Sequence, residues 1–335
     1  MNMMDAYQYS QKLIRQTPPA MRYKEGQDLV SWQEQVREQL WQLLGLDAFR
    51  PCDPAFAVES VEEANGYTDT RFTYCSEEGY VIPVHVWIPN TNAEKYIPVI
   101  CLQGHSKGKH ISMGRPIYPG DENSIKGGDR DFAVRAVKEG YAAVIMDQRY
   151  MGENGGTPEG PSCNQFAYNA LMLGRTAIGE RVWDIMRLID VLQQRFEKLD
   201  LEKLICLGNS GGGTTTFYAA CMEKRIKLAV PSSSVCTFKD SISAMHHCTC
   251  NYIPGIAKYF DMGDLAGLMA QRKLIIVHGK EDPIFPEPGV KESYEIAKDT
   301  FSAADNLDNL KLVTGNGGHR FYADDTWPLI HELMD

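Results

Sequence analysis

A serine in a glycine-rich turn is the first residue of this sequence that could do chemistry. Ser210 lies in LGNSGGGTTTF, residues 207–217, at the centre of a G-x-S-x-G motif. Glycine loses much backbone entropy in ordered structure, so the cluster predicts a turn that other residues cannot make. EKLICLG before it predicts a strand, and GGTTTFYAACMEKR after it predicts a helix. In that context the motif presents a nucleophilic serine.

A serine hydroxyl becomes a strong nucleophile only when a base removes its proton and a third group orients the base. Asp282 follows the strand-like run KLIIVHG, and His319 follows the run NLKLVTG. Both residues are therefore expected at the sheet edge where Ser210 must lie. The chain order Ser, Asp, His is one of the known triad orders. The spacing predicts Ser210 as nucleophile, Asp282 as acid and His319 as base.

Other residues compete for these roles. Glu281 adjoins Asp282, but the second carboxylate stands directly before a proline, in the position that such turns favour. His278 closes a strand and is expected to pack or to form a hydrogen bond, and His331 lies in a terminal helix. We therefore favour Asp282 and His319.

Acyl transfer also needs donors for the oxyanion of the tetrahedral intermediate. The backbone N–H of Gly211, directly after the nucleophile, is the first expected donor. The second should come from the loop of VICLQGHSKGKH, where Gly104 allows a turn. We expect the N–H of His105 in that role, with the N–H of Ser106 as the alternative.

A cofactor or metal site has less support. HHCTC contains His246, His247, Cys248 and Cys250, but their spacing matches no common zinc pattern and no second cluster accompanies them. Local packing is the favoured interpretation, and their role stays open. No G-x-G-x-x-G follows a first strand, so a nicotinamide or flavin site is not expected. We predict neither a cofactor nor a metal.

The remaining pattern predicts the elements that position these residues. QDLVSWQEQVREQLWQLLG, residues 27–45, has helical apolar spacing and a glycine stop, and TDTRFTYCS with GYVIPVHVWIP has the alternation of a hairpin. Short apolar runs then alternate with helix-length segments, which predicts an α/β fold with a mostly parallel sheet and helices on both faces. Residues 235–270 are longer than a crossover requires and predict a small cap-like insertion. The expected division is an N-terminal helical extension over 1–50 and a main domain over 51–335.

The charge composition of the chain bears on which classes of partner it can bind. A formal net charge of −10 over 335 residues argues against nucleic acid and offers no basic face for an anionic membrane. MNMMDAYQYSQK lacks the basic and apolar regions of a signal peptide. We expect a cytoplasmic protein with reduced cysteines and a small-molecule partner. The sequence leaves the oligomeric state open, including a homo-oligomer.

The chain resembles the acetyl xylan esterase-like and dienelactone hydrolase-like branch of the α/β hydrolases. The resemblance rests on CLQGHSKG, MDQRYMGENGG, GERVWDIMRLIDVL, LGNSGGG, HGKEDPIFP and GGHRF, in that order, and on the leading helix. It implies an α/β-hydrolase fold and the same three residues, Ser210, Asp282 and His319. It also implies that Arg181 and Asp184 order a polar network below the site, whereas amphipathicity alone would leave them exposed. The chain departs from the family where many relatives carry His-Gly in place of Gln103–Gly104.

Together these features predict a serine carboxylic ester hydrolase that forms an acyl-enzyme. By analogy with the branch, the substrate would carry short acyl groups, above all acetyl, on a sugar or another small alcohol. A thioesterase or peptidase with the same triad is an alternative, as is a ligand-binding protein that has lost catalysis. Tyr252, Tyr259 and Phe260 of the insertion could stack on a sugar ring or form a small core of their own.

Overall fold

A computed structural model describes residues 5–335, and within that range one sheet of nine strands forms the frame. The strand order is β1-β2-β3-β5-β4-β6-β7-β8-β9. From β5 to β9 along this order all neighbours are parallel, whereas β1, β2 and β3 are antiparallel, as is β3 to β5. The predicted mostly parallel sheet is confirmed. The strands are β1 Ala57–Ala64, β2 Tyr67–Glu77, β3 Tyr80–Pro89, β4 Pro98–Leu102, β5 Ala142–Met146, β6 Ile205–Asn209, β7 Leu228–Ser232, β8 Lys273–Gly279 and β9 Leu310–Gly315.

Helices cover both faces of the sheet and bury two apolar cores. The α-helices are α1 Ala6–Gln16, α2 Leu29–Leu44, α3 Phe132–Lys138, α4 Cys163–Met172, α5 Ala177–Arg195, α6 Gly211–Met222, α7 Met262–Ala266, α8 Glu287–Ala303 and α9 Ala323–Met334. The larger core joins α2, α5, α6 and α8 to one face, and the smaller core joins α3 and α9 to the other. Each strand from β4 to β8 is therefore buried on both sides, which explains its nearly continuous apolar sequence.

The predicted helix over residues 27–45 is α2, which ends at Gly45 as expected. Gly45 adopts the left-handed conformation with φ 73°, and a Cβ there would lie 2.3 Å from the carbonyl oxygen of Gly174. Trp32, Val36 and Leu40 are buried, whereas Val30 is 55% exposed on the outer face of the helix. The helix belongs to the main core through its inner face.

The hairpin prediction corresponds to β2 and β3, which pair across a turn at Glu78 and Gly79. The sequence did not predict β1. Most residues of β1 are exposed, and its sequence AVESVEEA is rich in glutamate. An edge strand of this kind lacks the alternation that identifies a half-buried strand.

The N-terminal region lies on the segment predicted as a cap. α1 buries none of its residues, and Tyr7 Oη donates a hydrogen bond to the carbonyl oxygen of Ala244 at 2.6 Å. Residues 1–4 of the predicted extension lie outside the described range. The division at residues 50 and 51 stays a prediction. No helix among residues 5–335 has the length and apolarity needed to cross a bilayer.

Residues 235–270 connect β7 to β8 through turns, short 3₁₀ segments and α7. Phe260 is fully buried in the larger core, and Tyr259 packs partly against it. Tyr252 is 41% exposed and donates its hydroxyl to the carbonyl oxygen of Ile242. None of these three aromatic residues lines the cavity at Ser210 described below, so at least Phe260 serves packing rather than ligand stacking.

Candidate active site

Ser210 occupies a strained turn between β6 and α6. Its backbone angles are φ 55° and ψ −123°, a region that residues other than glycine rarely adopt. Its N–H donates to the carbonyl oxygen of Ser232 at 2.8 Å, which ties the turn to the end of β7. Strain of this kind persists only where the surroundings enforce it, and it presents the serine side chain above the sheet edge.

The glycines around Ser210 are required by close backbone approaches. A Cβ on Gly212 would lie 2.1 Å from the carbonyl oxygen of Leu102, and one on Gly208 would lie 2.5 Å from the carbonyl of Gly212. A Cβ on Gly104 would lie 2.9 Å from Cβ of Ser210. Any side chain at these positions would separate the serine turn from the loop after β4. The glycine cluster thus holds the two loops in contact.

Asp282 and His319 meet in the loops after β8 and β9. His319 Nδ1 and Asp282 Oδ2 lie 2.8 Å apart, and Asp282 Oδ1 accepts the backbone N–H groups of Ile284 at 2.9 Å and Phe285 at 3.2 Å. Burial would raise the pKa of Asp282, but the hydrogen bond from His319 and those from the backbone outweigh it and lower the pKa. Asp282 is therefore an oriented carboxylate that fixes one nitrogen of the imidazole.

Ser210 and His319 line one cavity of about 330 Å³. Ser210 Oγ and His319 have no hydrogen bond between them in this structure, and such contacts are often loose in unliganded sites. The cavity is also lined by residues of the β4 loop, the cap-like segment and the β8 loop: His105, Arg130, Gly211, Thr214, His246, His247, Cys248, Asn251, Ile284 and Phe285. The volume is at the small end for ligand pockets.

The expected oxyanion donors differ in their hydrogen bonds. Ser106 N–H donates to the carbonyl oxygen of Gly104 at 2.7 Å, so it is already engaged. Among the described residues, the backbone N–H groups of His105 and Gly211 have no acceptor. His105 lies so close to the start of α6 that a Cβ on Gly211 would be 2.8 Å from its Cε1. This favours His105 over Ser106 as the second donor.

Gln103 supports the loop from below. Its side-chain nitrogen donates to Ser112 Oγ at 2.7 Å and to the carbonyl oxygen of Arg130 at 2.6 Å, and the residue is buried. Its backbone oxygen accepts from the side-chain nitrogen of Gln148. The departure from the His-Gly pattern therefore falls on a residue that braces the β4 loop.

The competing acid and bases lie apart from the cavity. His278 Nε2 pairs with Thr314 Oγ1 at 2.9 Å, and His331 lies 2.8 Å from a carboxylate oxygen of Glu139. Glu281 is exposed. None of the three lines the Ser210 cavity.

The histidines of the insertion form part of the cavity wall. His247 is buried, lies edge-on to the ring of Phe285 and pairs through Nε2 with Ser241 Oγ at 3.2 Å. Burial, followed by the nearby His105, His246 and His319, lowers the pKa of His247 to about 4. His247 is therefore a neutral wall residue near pH 7.

Sequence reasoning missed Arg130, which brings an unpaired cation to the cavity. Its Nε is buried without a hydrogen-bond partner, and no carboxylate of residues 5–335 lies within 4.0 Å of its guanidinium. Burial lowers the pKa of Arg130. The residue stands in KGGDRDF before α3, where no motif or periodicity distinguishes it from a surface arginine. Only the fold brings it to the cavity that Ser210 also lines.

Arg181 and Asp184 are buried on α5 rather than exposed. Asp184 accepts two hydrogen bonds from Arg149, at 2.8 and 2.7 Å. Arg181 donates to the carbonyl oxygen of Arg149 at 3.1 Å and to Cys163 Sγ at 3.5 Å. The exposed alternative was therefore wrong, and both residues are part of a buried polar network.

Cys248 and Cys250 have distant partners that the sequence did not indicate. One ligand atom each of His105, Cys163, Cys248 and Cys250 lies within 4.8 Å of the other three. Hydrogen bonds from Cys163 and Cys248, together with Arg181, lower the pKa of the Cys250 thiol well below its usual range. His246 and His247 are not in this cluster. The expected local packing of this segment stays a prediction, and the structure adds contacts of Cys248 and Cys250 with the distant residues His105 and Cys163.

Comparisons with known proteins agree with this architecture. A sequence model of the Abhydrolase family matches residues 2–187, more than half of the chain. YtaP of Bacillus subtilis (strain 168), named as a candidate hydrolase, is 23% identical over 229 residues, covering 66% of this chain and 73% of YtaP.

Solved structures share the fold at low identity. A candidate acetyl xylan esterase of Bacteroides fragilis NCTC 9343 has a TM-score of 0.80 at 18% identity, covering 94% of this chain and 83% of its own. A glucuronoyl esterase of Solibacter usitatus has a TM-score of 0.70 at 15% identity, covering 94% and 96%. Acetyl xylan esterase 1 of Thermoanaerobacterium sp. JW/SL YS485 has a TM-score of 0.58 at 17% identity, covering 100% and 98%.

Proposed function

The chain belongs to the Abhydrolase family, and on that premise we propose that it hydrolyses carboxylic esters through Ser210, His319 and Asp282. One observation carries the proposal. A strained serine and a histidine held by a buried carboxylate line the same cavity. Nucleophile, base and orienting acid are the three parts that acyl transfer by a serine requires.

The proposed reaction has two halves. Ser210 Oγ attacks the ester carbonyl while His319 takes the hydroxyl proton, and the resulting tetrahedral intermediate collapses as the alcohol leaves with that proton. His319 then removes a proton from water, the hydroxide attacks the acyl-enzyme, and Ser210 recovers its proton as the acid is released. Asp282 holds the imidazole in one tautomer and stabilises its protonated form.

The oxyanion would be bound by the N–H groups of Gly211 and His105. Both donors are free of other acceptors in the described residues. Fixed backbone donors that strengthen their bonds as charge develops lower the barrier to the tetrahedral intermediate. The contact of Gly104 with the serine turn holds the two donors near each other.

We infer a small acyl group, acetyl above all, on a sugar or another small alcohol. The cavity of about 330 Å³ is at the small end for ligand pockets, which favours a small substrate. The solved structures with the same fold include proteins described as acetyl xylan esterases and glucuronoyl esterases. These descriptions support a carbohydrate ester as the first natural substrate class to try.

The test is the rate of hydrolysis of p-nitrophenyl esters from acetyl to octanoyl by the native protein and by Ser210→Ala. Ser31→Ala, at an exposed position of α2, is the matched control. We expect a preference for acetyl that is lost in Ser210→Ala and kept in Ser31→Ala. Activity that survives Ser210→Ala would overturn the proposal.

A further inference from the structure

We propose that His105, Cys163, Cys248 and Cys250 form a zinc site that ties the β4 loop to the cap-like segment. The four side chains come from three separate parts of the chain: the loop after β4, the start of α4, and the 3₁₀ segment Thr249–Asn251 with the residue before it. Nothing in the proposed ester hydrolysis requires them to meet. Their convergence is therefore an independent feature of the fold.

The geometry suits a tetrahedral metal. One imidazole nitrogen and three sulfur atoms lie within 4.8 Å of one another, and His105 Nε2 is 3.1 Å from Cys250 Sγ. Zn–S bonds of about 2.3 Å at tetrahedral angles place two sulfur ligands about 3.8 Å apart. The side chains need only small rotations to reach that arrangement. Three cysteines and one histidine are a common ligand set of structural zinc.

The buried cation of Arg181 lies beside the four proposed ligands. Arg181 is 1% exposed, and no carboxylate of the described chain lies within 4.0 Å of its guanidinium. Its Nη1 has no hydrogen-bond partner, while Nη2 donates to Cys163 Sγ. A buried cation is costly without a compensating anion. Three thiolates around Zn²⁺ carry one net negative charge, which Arg181 would neutralise.

Thiolate ligands select among metals. Soft sulfur ligands in a tetrahedral set favour Zn²⁺ over the hard cations Mg²⁺ and Ca²⁺, which prefer oxygen. With four protein ligands the site is closed and has no position for a reacting water. Its effect would be to fix the imidazole of His105, whose backbone N–H is the proposed second oxyanion donor. The zinc would thus be structural, with a positioning effect on the neighbouring cavity.

The experiment is metal analysis of the full-length chain, purified with zinc in the buffers, desalted and measured by plasma mass spectrometry. We expect about one zinc per chain in the native protein, and a loss of most of it in Cys248→Ser and Cys250→Ser. Cys52→Ser is the control, because Cys52 is a partly exposed free thiol outside the cluster. Its zinc content should equal that of the native protein.

A second measurement covers the case in which a serine variant does not fold. Native protein stripped by chelator and loaded with Co²⁺ should show the intense visible absorption of tetrahedral cobalt and a sulfur-to-cobalt charge-transfer band. Zinc-free native protein with a pale, octahedral cobalt spectrum would overturn the site. A disulfide between two of the three cysteines, identified as a linked peptide by mass spectrometry after digestion, would also overturn it. Neither readout depends on ester hydrolysis, so this inference and the proposed function can fail separately.

Discussion

His319 Nδ1 lies 2.8 Å from Asp282 Oδ2, and this contact joins the loop after β8 to the loop after β9. Asp282 is held from its other side by two backbone N–H groups, so its carboxylate cannot rotate freely. The imidazole is therefore presented to the Ser210 cavity with its Nδ1 occupied. The free nitrogen, Nε2, is the one that would take the serine proton.

Asp282→Asn is expected to remove most of the activity while the fold remains. The amide oxygen can still accept the backbone N–H groups, but its NH₂ would face Nδ1 of His319 and favour the wrong tautomer. In serine triads this change lowers kcat on the order of 10⁴-fold. The measurement is kcat on p-nitrophenyl acetate beside the thermal midpoint of unfolding. A variant that keeps more than a tenth of the native kcat would contradict the assigned role.

Gly104→Ala is expected to damage catalysis through the oxyanion loop. A Cβ there would lie 2.7 Å from the carbonyl oxygen of Asn209 and 2.9 Å from Cβ of Ser210, so the loop or the serine turn must shift. Loss of an oxyanion donor costs about 10²–10³ in kcat.

Gly127→Ala provides the control for this substitution. A Cβ at Gly127 meets no atom within 4 Å, and its backbone is not left-handed. We expect kcat close to native in Gly127→Ala and at least about 10² lower in Gly104→Ala. Equal activity in the two variants would show that the close approach at Gly104 does not position the donors.

Arg130→Gln is expected to weaken inhibition by the product acetate. Nε of Arg130 is buried without a hydrogen-bond partner, and no carboxylate of residues 5–335 pairs with the guanidinium, so a small carboxylate in the cavity would supply the missing anion. A hydrogen bond to a charged group is worth roughly 1.5–3 kcal/mol, which corresponds to about tenfold or more in the inhibition constant. The control is Arg115→Gln, because Arg115 is half exposed and lies outside the cavity. Unchanged acetate inhibition in Arg130→Gln would exclude this contact.

The buried imidazole of His247 is expected to lower the free energy of unfolding in acid. Its pKa falls from 6.5 in the unfolded chain to about 4 in the folded protein, chiefly through burial. Between these values the unfolded chain binds the extra proton, so the free energy of unfolding decreases as pH falls, by up to about 1.4 kcal/mol per unit.

The measurement is urea unfolding of the native protein and of His247→Gln between pH 7 and pH 4. Carboxylates contribute to the acid dependence of both proteins, so the difference between the two curves isolates His247. We expect the variant to lose less stability over this range. Parallel curves would show that the imidazole does not titrate as its burial requires.

Much of the sheet could be predicted because the parallel strands are buried on both faces. The run YAAVIM and the LIIV of KLIIVHG are apolar, and the first contains β5 while the second forms the centre of β8. β1 escaped prediction because it is an exposed edge strand whose register is set by β2 and not by an apolar face. The spacing of apolar residues identifies an element only when that element has a buried face.

Some residues of the candidate site could be predicted from the sequence and others could not. Ser210, Asp282 and His319 could be proposed because each follows a strand end, and parallel strands bring their carboxyl ends to one edge. Arg130 at the cavity and Cys163 in the cysteine cluster could not, since they lie in a loop and at a helix start that carry no periodic signal. The positions of Arg130 and Cys163 depend on contacts between residues that are far apart in the sequence.

The most direct test of the central claim is labelling with a fluorophosphonate probe, which replaces its fluoride with the oxygen of an activated serine. We would label the native protein, Ser210→Ala and His319→Ala, then locate the modified peptide by mass spectrometry. We expect one label on Ser210 in the native protein, none in Ser210→Ala and greatly slowed labelling in His319→Ala. Labelling of another serine, or equal labelling of the native protein and Ser210→Ala, would contradict it.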